Sequence, residues 1–356
     1  MKSFDVCECG APLRLMERPT PKPAGSEILL RVLAAGVCHS DLHIWDGYYE
    51  MGGGKRMNLL ERGIKLPLTM GHENVGEVIA IGPEARGVKI GDRRLVHPWM
   101  GCGECAVCRR GEEQLCMKPR SLGVYSHGGY ADHLMVPHPR YLFDIGDLPP
   151  ERVAPLACSG VTTYGALKKI GPVLTEEPIV IIGAGGLGLM CLGLHKLMGG
   201  KGAIVVDIDP AKREAAMKAG AQAVVDGAAP DAAKQIRAMT NGGAWAAIDL
   251  VGAAATARLG VDGLIGKGGK LIIVGLFGGD ITISTPTFPL RAMTVQGSYV
   301  GSLPEMAELL DLVRHKGIPS VPLATRPLAE VNAALNDLRA GKVVGRVVLT
   351  PPIAAG

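Results

Sequence analysis

Four cysteines lie within one short segment near residue 110, at a spacing that suits a metal ion. They follow the pattern C-x-x-C-x-x-C-x7-C and are Cys102, Cys105, Cys108 and Cys116. Four soft thiolate ligands are typical of a closed, tetrahedral zinc site, which leaves no position for a substrate and stabilises the fold instead. An iron–sulfur cluster and four unligated buried thiols are the alternatives. The wide gap before the fourth cysteine favours structural zinc.

A second group of candidate ligands is spread over 120 residues of the chain and consists of Cys38, His72 and Cys158. They lie in the segments G-V-C-H-S-D-L-H, G-H-E and P-L-A-C-S-G. Three protein ligands leave a fourth position on zinc open for water or substrate, as in catalytic zinc sites. Spacing alone does not show that the three side chains meet, and each of them singly is compatible with an ordinary buried residue.

A glycine-rich segment of the pattern G-x-G-x-x-G directly follows the apolar run 179–182. Gly183 permits a tight turn, and Gly185 allows the backbone to approach a pyrophosphate closely. Gly188 lets the following helix pack near the strand, with its N-terminal dipole facing the phosphates. The motif predicts a dinucleotide-binding loop.

An acidic residue at the end of the next apolar run supports this prediction. Asp207 lies 19 residues after Gly188, where a carboxylate accepts hydrogen bonds from both ribose hydroxyls. It would repel a 2′-phosphate, which favours NAD over NADP. Lys212 is a second candidate contact to that ribose. The alternative is that Asp207 only caps the next helix, for which Asp209 is better placed.

Two different patterns position these residues. Between about residues 178 and 300, β-branched runs alternate with helical segments; the runs are 179–182, 203–207, 223–225, 246–251, 270–275 and 293–300. Apolar strands that alternate with helices predict a parallel sheet covered on both faces, and six of them predict a doubly wound nucleotide-binding domain. The first 150 residues have short runs between Gly and Pro turns, which predicts an antiparallel β domain. Near the end, helices are expected at 304–316 and 328–340 and a strand at 345–349.

The composition excludes several classes of protein. The chain has 356 residues, of which 47% are hydrophobic, enough for one or two well-buried domains. A net charge of +4 without a dense basic block argues against a nucleic-acid partner. The longest uncharged apolar run is too short and too rich in glycine for a membrane span, and the N-terminus lacks a secretory layout. Together with the clustered cysteines, this predicts a soluble, cytoplasmic protein.

The combination of motifs resembles one enzyme family. The segment 71–82, G-H-E-x-x-G-x5-G, is similar to the signature of zinc-containing alcohol dehydrogenases of the medium-chain dehydrogenase/reductase superfamily. The segment 38–43, the four-cysteine loop, the Cys158 segment and the dinucleotide loop occur in that family's order. The resemblance covers essentially the whole chain. It is strongest to the tetrameric NAD-dependent enzymes of microbes, through G-V-C-H-S-D-L-H and the stretch G-S-Y-V-G at 297–301.

This resemblance implies an α/β fold with two domains. A GroES-like β domain would cover residues 1–157 and be completed by 301–356. A Rossmann domain with a doubly wound parallel sheet would cover 158–300. NAD, two zinc ions per subunit and assembly into a homotetramer or homodimer are also implied, with a small-molecule alcohol, aldehyde or ketone as the substrate.

The resemblance also assigns the metal ligands. Cys38, His72 and Cys158 would hold the catalytic zinc, and Glu73 would support it or exchange as a ligand. Asp41 would orient His72 through its other ring nitrogen, which fixes the tautomer. The four clustered cysteines match the structural zinc loop.

Further positions match a proton path and the cofactor site. Ser40 matches a hydroxyl that contacts the substrate oxygen, and His43 matches a histidine at the solvent end of the proton relay.

His39 stands where many relatives have arginine, which predicts looser, pH-sensitive NAD binding. Arg346 matches an arginine that reaches the cofactor phosphates. Trp99 matches a pocket position and would favour flat or modest-sized alcohols. Other cofactor positions are Thr162, Gly186, Leu187, Val251, Val274 and Leu276.

The implied reaction is hydride transfer between NAD and a primary or secondary alcohol, promoted by zinc. The same chemistry on a polyol, aryl, cyclic or CoA-linked alcohol is an alternative that the residues do not separate. A second alternative is a zinc-free quinone or enoyl reductase, but the complete set of zinc ligands, Cys38, His72 and Cys158, argues against it. A third alternative is a binding protein that does not turn over a substrate. The segment 46–67 is longer than in some relatives and is interpreted as a rim over the cleft, an oligomer contact or a surface loop.

Overall fold

The apolar runs of the first 158 residues form mainly short strands in the computed structural model, which describes residues 1–352. The strands are β1 (Lys2–Val6), β2 (Arg14–Glu17), β3 (Ile28–Val37), β4 (Tyr48–Gly52), β5 (Lys55–Asn58), β6 (Leu68–Thr69), β7 (Glu73–Ile81), β8 (Arg93–Val96), β9 (His133–Val136) and β10 (Leu142–Asp144). The helices are α1 (His39–Asp46), α2 (Ala106–Arg109) and α3 (Pro150–Val153). We call this part the β unit.

From residue 159 to 297, helices and strands alternate, as the sequence predicts. They are α4 (Ser159–Ile170), α5 (Val173–Glu176), β11 (Ile179–Ile182), α6 (Gly186–Leu197), β12 (Ala203–Asp207), α7 (Pro210–Lys218), β13 (Ala223–Asp226), α8 (Ala232–Met239), β14 (Ala246–Asp249), α9 (Ala254–Gly263), β15 (Lys270–Ile273), α10 (Thr287–Arg291) and β16 (Thr294–Gly297). The strands pair in parallel in the order β13-β12-β11-β14-β15-β16. We call this part the parallel-sheet unit.

Both faces of the parallel sheet are buried, which explains why its strands are apolar throughout. Side chains alternate between the faces of a strand. In β11, Ile179 and Ile181 belong to one hydrophobic core, while Val180 and Ile182 belong to another on the opposite face. The chain order reverses between β11 and β14, and a crevice at the carboxyl ends of such strands is where ligands bind in doubly wound sheets.

The last part of the described chain returns to the β unit. It comprises α11 (Leu303–Lys316), β17 (Leu323–Pro327), α12 (Val331–Arg339) and β18 (Arg346–Thr350). β18 pairs antiparallel with β3, and the main sheet of the β unit has the order β10-β8-β7-β3-β18-β17, with β9 also on β3. α11 instead shares a core with α4 of the parallel-sheet unit. Among residues 1–352, no helix combines the length and apolarity needed to cross a membrane.

Three strands are shorter than predicted: the predicted run 270–275 ends at Ile273, and two other runs also end early. The predicted run 246–251 ends at Asp249, because its buried carboxylate accepts hydrogen bonds from the N–H groups of Val251 and Gly252, each at 3.0 Å, and turns the chain. The predicted run 293–300 ends at Gly297. Val300 has φ +38°, in the left-handed region that a strand does not use.

Two buried histidines make the fold sensitive to acid. His97 follows β8 and His195 lies on α6, and burial lowers their pKa values to about 3 and about 4. Both are therefore neutral in the folded protein, whereas the unfolded chain binds protons on them below about pH 6.5. Between about pH 6.5 and these lowered pKa values, the unfolded state binds more protons than the folded state. The protein therefore loses stability as the pH falls through this range.

Replacing His97 with leucine should reduce this sensitivity. When the pH falls from about 7 to about 5, the free energy of unfolding should decrease by about 2 kcal/mol less than in the unsubstituted protein. Urea unfolding at both pH values measures the difference. His315→Leu is the matched control, because His315 is exposed on α11. An equal loss of stability in both variants would contradict the prediction.

Candidate active site

Three elements bring the dispersed metal-ligand candidates together. Cys38 joins β3 to α1, His72 directly precedes β7, and Cys158 directly precedes α4. One ligand atom from each, together with a carboxylate oxygen of Glu73, lies within 4.8 Å of the others. All four residues are buried. The fold thus gathers side chains whose spacing in the sequence could not show that they meet.

The start of α1 is held by a carboxylate that also supports the site. Asp41, in the first turn, is fully buried, and its Oδ2 accepts hydrogen bonds from the Cys38 N–H at 2.9 Å and the Tyr130 hydroxyl at 2.7 Å. This is the acidic half of a capping box. Its Oδ1 lies 3.2 Å from Nδ1 of His72. The same residue therefore begins the helix, places Cys38 and orients the imidazole.

The donor set fits zinc. A tetrahedral site with Zn–S bonds of about 2.3 Å separates two sulfurs by about 3.8 Å, and Sγ of Cys38 lies 3.8 Å from Sγ of Cys158. Both ring nitrogens of His72 are buried without a hydrogen-bond partner in the described chain; Nδ1 faces Asp41, which leaves Nε2 to bind a metal. Contacts with Cys158 and His72 hold the pKa of the Cys38 thiol well below its usual range. Thiolate is the form that ligates.

Glu73 and Arg346 form a buried ion pair behind these ligands. The Arg346 guanidinium donates to Oε2 of Glu73, and Oε1 accepts from the Ser159 N–H at 3.4 Å. Burial raises the pKa of Glu73 to about 7, against the opposing effect of Arg346. The Arg346 side chain also passes beneath the glycine loop, since a Cβ on Gly186 would lie 2.5 Å from its Cδ. Its guanidinium is thus turned toward the metal-ligand group.

The clustered cysteines form a second candidate metal site in the β unit. Sulfur–sulfur distances are 3.4 Å for Cys105–Cys108, 3.8 Å for Cys105–Cys116 and 3.9 Å for Cys102–Cys108, close to those of a tetrahedral zinc. Backbone N–H groups of Glu104 and Cys105 lower the pKa of the Cys102 thiol to about 6. This geometry fits a closed, four-thiolate zinc site.

Two residues that the sequence analysis did not single out support this loop. Glu113 is buried, and its Oε2 accepts hydrogen bonds from the Gly101 N–H at 3.0 Å and the Tyr141 hydroxyl at 2.8 Å. Arg120 donates to the carbonyls of Gly101 and Cys102 at 3.2 Å. Neither residue carries a local sequence signal that distinguishes it from a surface charge.

A cavity of about 370 Å³ runs between the two units and joins the first metal-ligand group to the glycine loop. Most of the predicted substrate and cofactor residues line it: Cys38, His39, Ser40, His43, Trp99, Cys158, Thr162, Gly183, Gly185, Gly186, Leu187, Gly188, Asp207, Lys212, Val251, Val274, Leu276 and Arg346. Oγ1 of Thr162 is buried there without a hydrogen-bond partner in the described chain. A ligand with polar groups would satisfy it.

The glycine loop has the shape that a dinucleotide requires. Gly183 has φ +97°, which favours glycine, and a Cβ on Gly188 would lie 1.8 Å from the Gly183 carbonyl oxygen. No atom lies within 4 Å of a Cβ built on Gly185, so the space that a side chain would fill there is open to a ligand. The Asp207 carboxylate at the end of β12 accepts from the Ala184 N–H at 2.7 Å. It therefore lies beside the loop, while Asp209 caps α7.

Comparison with known proteins identifies the protein family in which this arrangement of residues occurs. Residues 24–147 match the alcohol dehydrogenase GroES-like domain, and residues 186–315 match the zinc-binding dehydrogenase domain. The chain is 39% identical to an NAD-dependent alcohol dehydrogenase of Sulfurisphaera tokodaii over 99% of this chain and 100% of that protein. It superposes on the alcohol dehydrogenase of Aeropyrum pernix with a TM-score of 0.88 and 34% identity, covering 99% and 100% of the two chains.

The chain belongs to the zinc-dependent alcohol dehydrogenases. The predicted family and the predicted fold class, a GroES-like β domain with a Rossmann domain, are confirmed by these matches. A third relative, an alcohol dehydrogenase of Geobacillus stearothermophilus, is 35% identical over 98% of both chains. The enzyme class is therefore that of an oxidoreductase.

In this alcohol dehydrogenase the predicted relay residues, Ser40 and His43, lie on α1 and line the cavity, together with the predicted cofactor contact His39. His39 and His43, one turn apart on α1, have ring centroids 5.6 Å apart. The ring of Tyr49 lies 4.7 Å from that of His43. Burial, followed by the charge of His39, lowers the pKa of His43. Sequence reasoning missed Tyr49, because it follows the recognised motif by several residues and carries no metal-ligand or glycine pattern.

The segment 46–67 forms a hairpin across the cleft. β4 and β5 pair antiparallel, and the hairpin contacts the segment after β15 in the parallel-sheet unit. A Cβ on Gly278 would lie 2.4 Å from the Glu50 carbonyl oxygen, and a Cβ on Gly52 would lie 2.6 Å from the Asp280 carboxyl group. In this alcohol dehydrogenase the hairpin therefore contributes a wall between the two units.

Proposed function

We propose that this chain interconverts primary or secondary alcohols with aldehydes or ketones, using a zinc ion and NAD. The observation that carries the proposal is the convergence of Cys38, His72 and Cys158 at one end of a cavity whose other end is the glycine loop. The full-length relatives named NAD-dependent alcohol dehydrogenase support the same reaction. A second zinc in the four-cysteine loop would stabilise the β unit.

The protein supplies the positions at which this chemistry occurs. Zinc and NAD, when bound, supply the Lewis acidity that lowers the pKa of an alcohol and the acceptor for its hydride. Asp41 keeps the His72 imidazole oriented for ligation. Val251, Val274 and Leu276 form an apolar surface for the nicotinamide, and Thr162 offers it a hydroxyl. Together these residues hold the reacting carbons in contact and exclude water.

Ser40 and His43 provide the route for the proton. Ser40 lies two residues after Cys38 and lines the cavity, where its hydroxyl reaches the substrate oxygen. Because burial lowers the pKa of His43, its imidazole is neutral near pH 7 and accepts a proton. Protonation of His43 at lower pH removes that acceptor, so initial rates of alcohol oxidation should already be on their plateau near pH 7 and should fall as the pH drops through the lowered pKa.

The cofactor site is selective for NAD. The Asp207 carboxylate binds the ribose hydroxyls and repels a 2′-phosphate. Lys212 lines the cavity, with its Nζ 3.8 Å from a carboxylate oxygen of Asp209, and would contact the same ribose. Arg346 adds positive charge under the loop that receives the pyrophosphate, although its guanidinium itself pairs with Glu73.

Replacing His39 with arginine should tighten NAD binding. Burial and the charge of Lys212 lower the pKa of His39, so it is uncharged near pH 7. An arginine there is always charged and can bind phosphate through two N–H groups, and the dissociation constant of NAD should fall about fivefold. Calorimetric titration with NAD measures this. His315→Arg, far from the cavity, is the control, and an unchanged dissociation constant for His39→Arg would refute the prediction.

We further propose a cytoplasmic homo-oligomer, a tetramer or a dimer. The nine cysteines all lie within residues 1–352 and form no disulfide there, as expected in a reducing compartment. β16 is an edge strand, and Phe288 and Leu290 on the adjacent α10 are exposed, which leaves a pairing surface. Light scattering should give two or four times the subunit mass of 37.2 kDa. Leu290→Lys should lower that mass, and a monomeric parent would refute the proposal.

NAD reduction with primary, secondary, cyclic and benzylic alcohols, before and after zinc chelation, tests the reaction. We expect turnover that chelation removes and added zinc restores. Protein that carries zinc and binds NAD but turns over none of these alcohols would overturn the proposed function.

A further inference from the structure

Three aromatic side chains from both units surround the substrate end of the cavity. Trp99 lies in the β unit before the four-cysteine loop, Tyr49 lies on the β4–β5 hairpin, and Tyr299 follows β16 of the parallel-sheet unit. We call them the aromatic cluster. Their arrangement bears on which alcohol enters, so the inference below rests on the proposed function and refines it.

Trp99 gives the pocket a fixed, flat wall next to the metal-ligand group. Its side chain is buried, and Nε1 donates to the Ala157 carbonyl at 3.0 Å, which sets the plane of the indole. The ring centroid lies 5.3 Å from that of His72. A carbinol carbon near the metal therefore has an aromatic surface directly beside it.

Tyr299 meets this wall from the other unit. Its ring lies 6.3 Å from Trp99 at an interplanar angle of 62°, an edge-to-face arrangement. Tyr299 remains 52% exposed, so part of its ring is free to cover a ligand. A flat substrate ring that lies on the Trp99 indole would also contact Tyr299. A bulky aliphatic substrate would not contact both aromatic rings.

Tyr49 adds a further hydroxyl to the cavity, on the hairpin side, in addition to those of Ser40 and Thr162. Its ring packs on His43, and its hydroxyl has no hydrogen-bond partner within residues 1–352. Burial, followed by the neighbouring Tyr299, raises the pKa of Tyr49 above its usual range, so the phenol keeps its proton throughout the working range of the enzyme. An unpaired phenol in an enclosed pocket is a hydrogen-bond donor that a substrate oxygen can satisfy.

No charged side chain of the described cavity is available to the substrate end. Asp207 and Lys212 lie beside the glycine loop, and Arg346 is turned to Glu73. Arg339 pairs with Asp46 at 2.5 Å and stacks on Trp45. Carboxylated or phosphorylated alcohols therefore find no counter-ion there, and burying their charge would be costly.

We infer that the preferred substrates are neutral aryl carbinols that carry a second oxygen on the ring, and that Tyr49 selects them by donating a hydrogen bond to that oxygen. Trp99 and Tyr299 select the flat ring. A pocket that hydrogen-bonds a substrate group discriminates against the analogue that lacks it, because the hydrogen bond to the substrate is then lost. Since the Tyr49 hydroxyl is neutral and partly solvated, we expect about tenfold discrimination.

The test compares kcat/KM for the 2-, 3- and 4-hydroxybenzyl alcohols with that for benzyl alcohol. The unsubstituted enzyme should prefer at least one hydroxybenzyl isomer by about tenfold. Tyr49→Phe keeps the ring on His43 and removes only the hydroxyl, so this ratio should fall to about 1. Tyr164→Phe is the matched control, because its hydroxyl bonds Glu308 on the surface and the ratio should not change.

A second variant tests the aromatic wall independently. Trp99→Leu should lower the preference for benzyl alcohol over 1-butanol several-fold, with zinc content and NAD binding as checks of folding. Turnover of benzyl alcohol without preference for any isomer, or a preference that survives in Tyr49→Phe, would overturn the inference about Tyr49 and leave the proposed function intact. Absence of turnover on every alcohol would instead overturn the proposed function.

Discussion

Replacing Cys158 with serine should abolish turnover while NAD still binds. A serine hydroxyl is hard and stays protonated near pH 7, so it does not replace a thiolate on zinc. The variant should contain one zinc per subunit instead of two, and turnover should fall below about a thousandth, since the Lewis acid supplies several kcal/mol of transition-state stabilisation. Metal analysis and initial rates on the same sample measure both effects.

Two other cysteines provide controls for this result. Cys191 on α6 is buried and outside both metal-ligand groups, so Cys191→Ala should keep two zinc ions and near-normal turnover. Cys116→Ser should also contain one zinc, but its main defect should be a lower melting temperature, because none of the four clustered cysteines lines the cavity. Full turnover of Cys158→Ser with both zinc ions retained would exclude Cys158 as a ligand.

The difference between the two metal sites also explains what the sequence could predict. The four clustered cysteines lie within one loop, so their spacing alone indicates the donor set. Cys38, His72 and Cys158 come from three separate elements, and only the fold places their ligand atoms within 4.8 Å. Resemblance to a family supplied what spacing could not. The same holds for Asp41, whose bond to Tyr130 spans 89 residues.

The direction in which individual side chains point could not be predicted from the sequence either. The sequence places Arg346 at the start of a strand and the resemblance assigns it to the cofactor phosphates, but the side chain turns to Glu73. The hairpin that carries Tyr49 was recognised only as an extra segment, because its orientation depends on contacts with residues more than 200 positions away. Strand ends such as Asp249 depend on the hydrogen bonds of one side chain, which periodicity does not detect.

Replacing Arg346 with methionine should destabilise the fold substantially. The guanidinium is almost fully buried and pairs with a Glu73 carboxylate that has no solvent exposure. Without Arg346, Glu73, whose pKa is about 7 even beside its partner, must take up a proton or bury its charge unpaired, and breaking such a buried pair typically costs about 3–5 kcal/mol. Urea unfolding of the zinc-loaded enzyme should show this loss. Arg326→Met is the matched control, because Arg326 and Asp337 are each about 30% exposed, and it should cost less than about 1 kcal/mol.

The double variant Glu73→Gln/Arg346→Met separates the charge from the packing. With both charges gone, most of the loss caused by Arg346→Met should be recovered, because the penalty comes from the unpaired carboxylate and not from the missing contact. The remaining loss reports the packing of Arg346 beneath Gly186. If the double variant is as unstable as Arg346→Met alone, Arg346 stabilises the enzyme mainly by supporting the glycine loop, and NAD affinity should then fall in both variants.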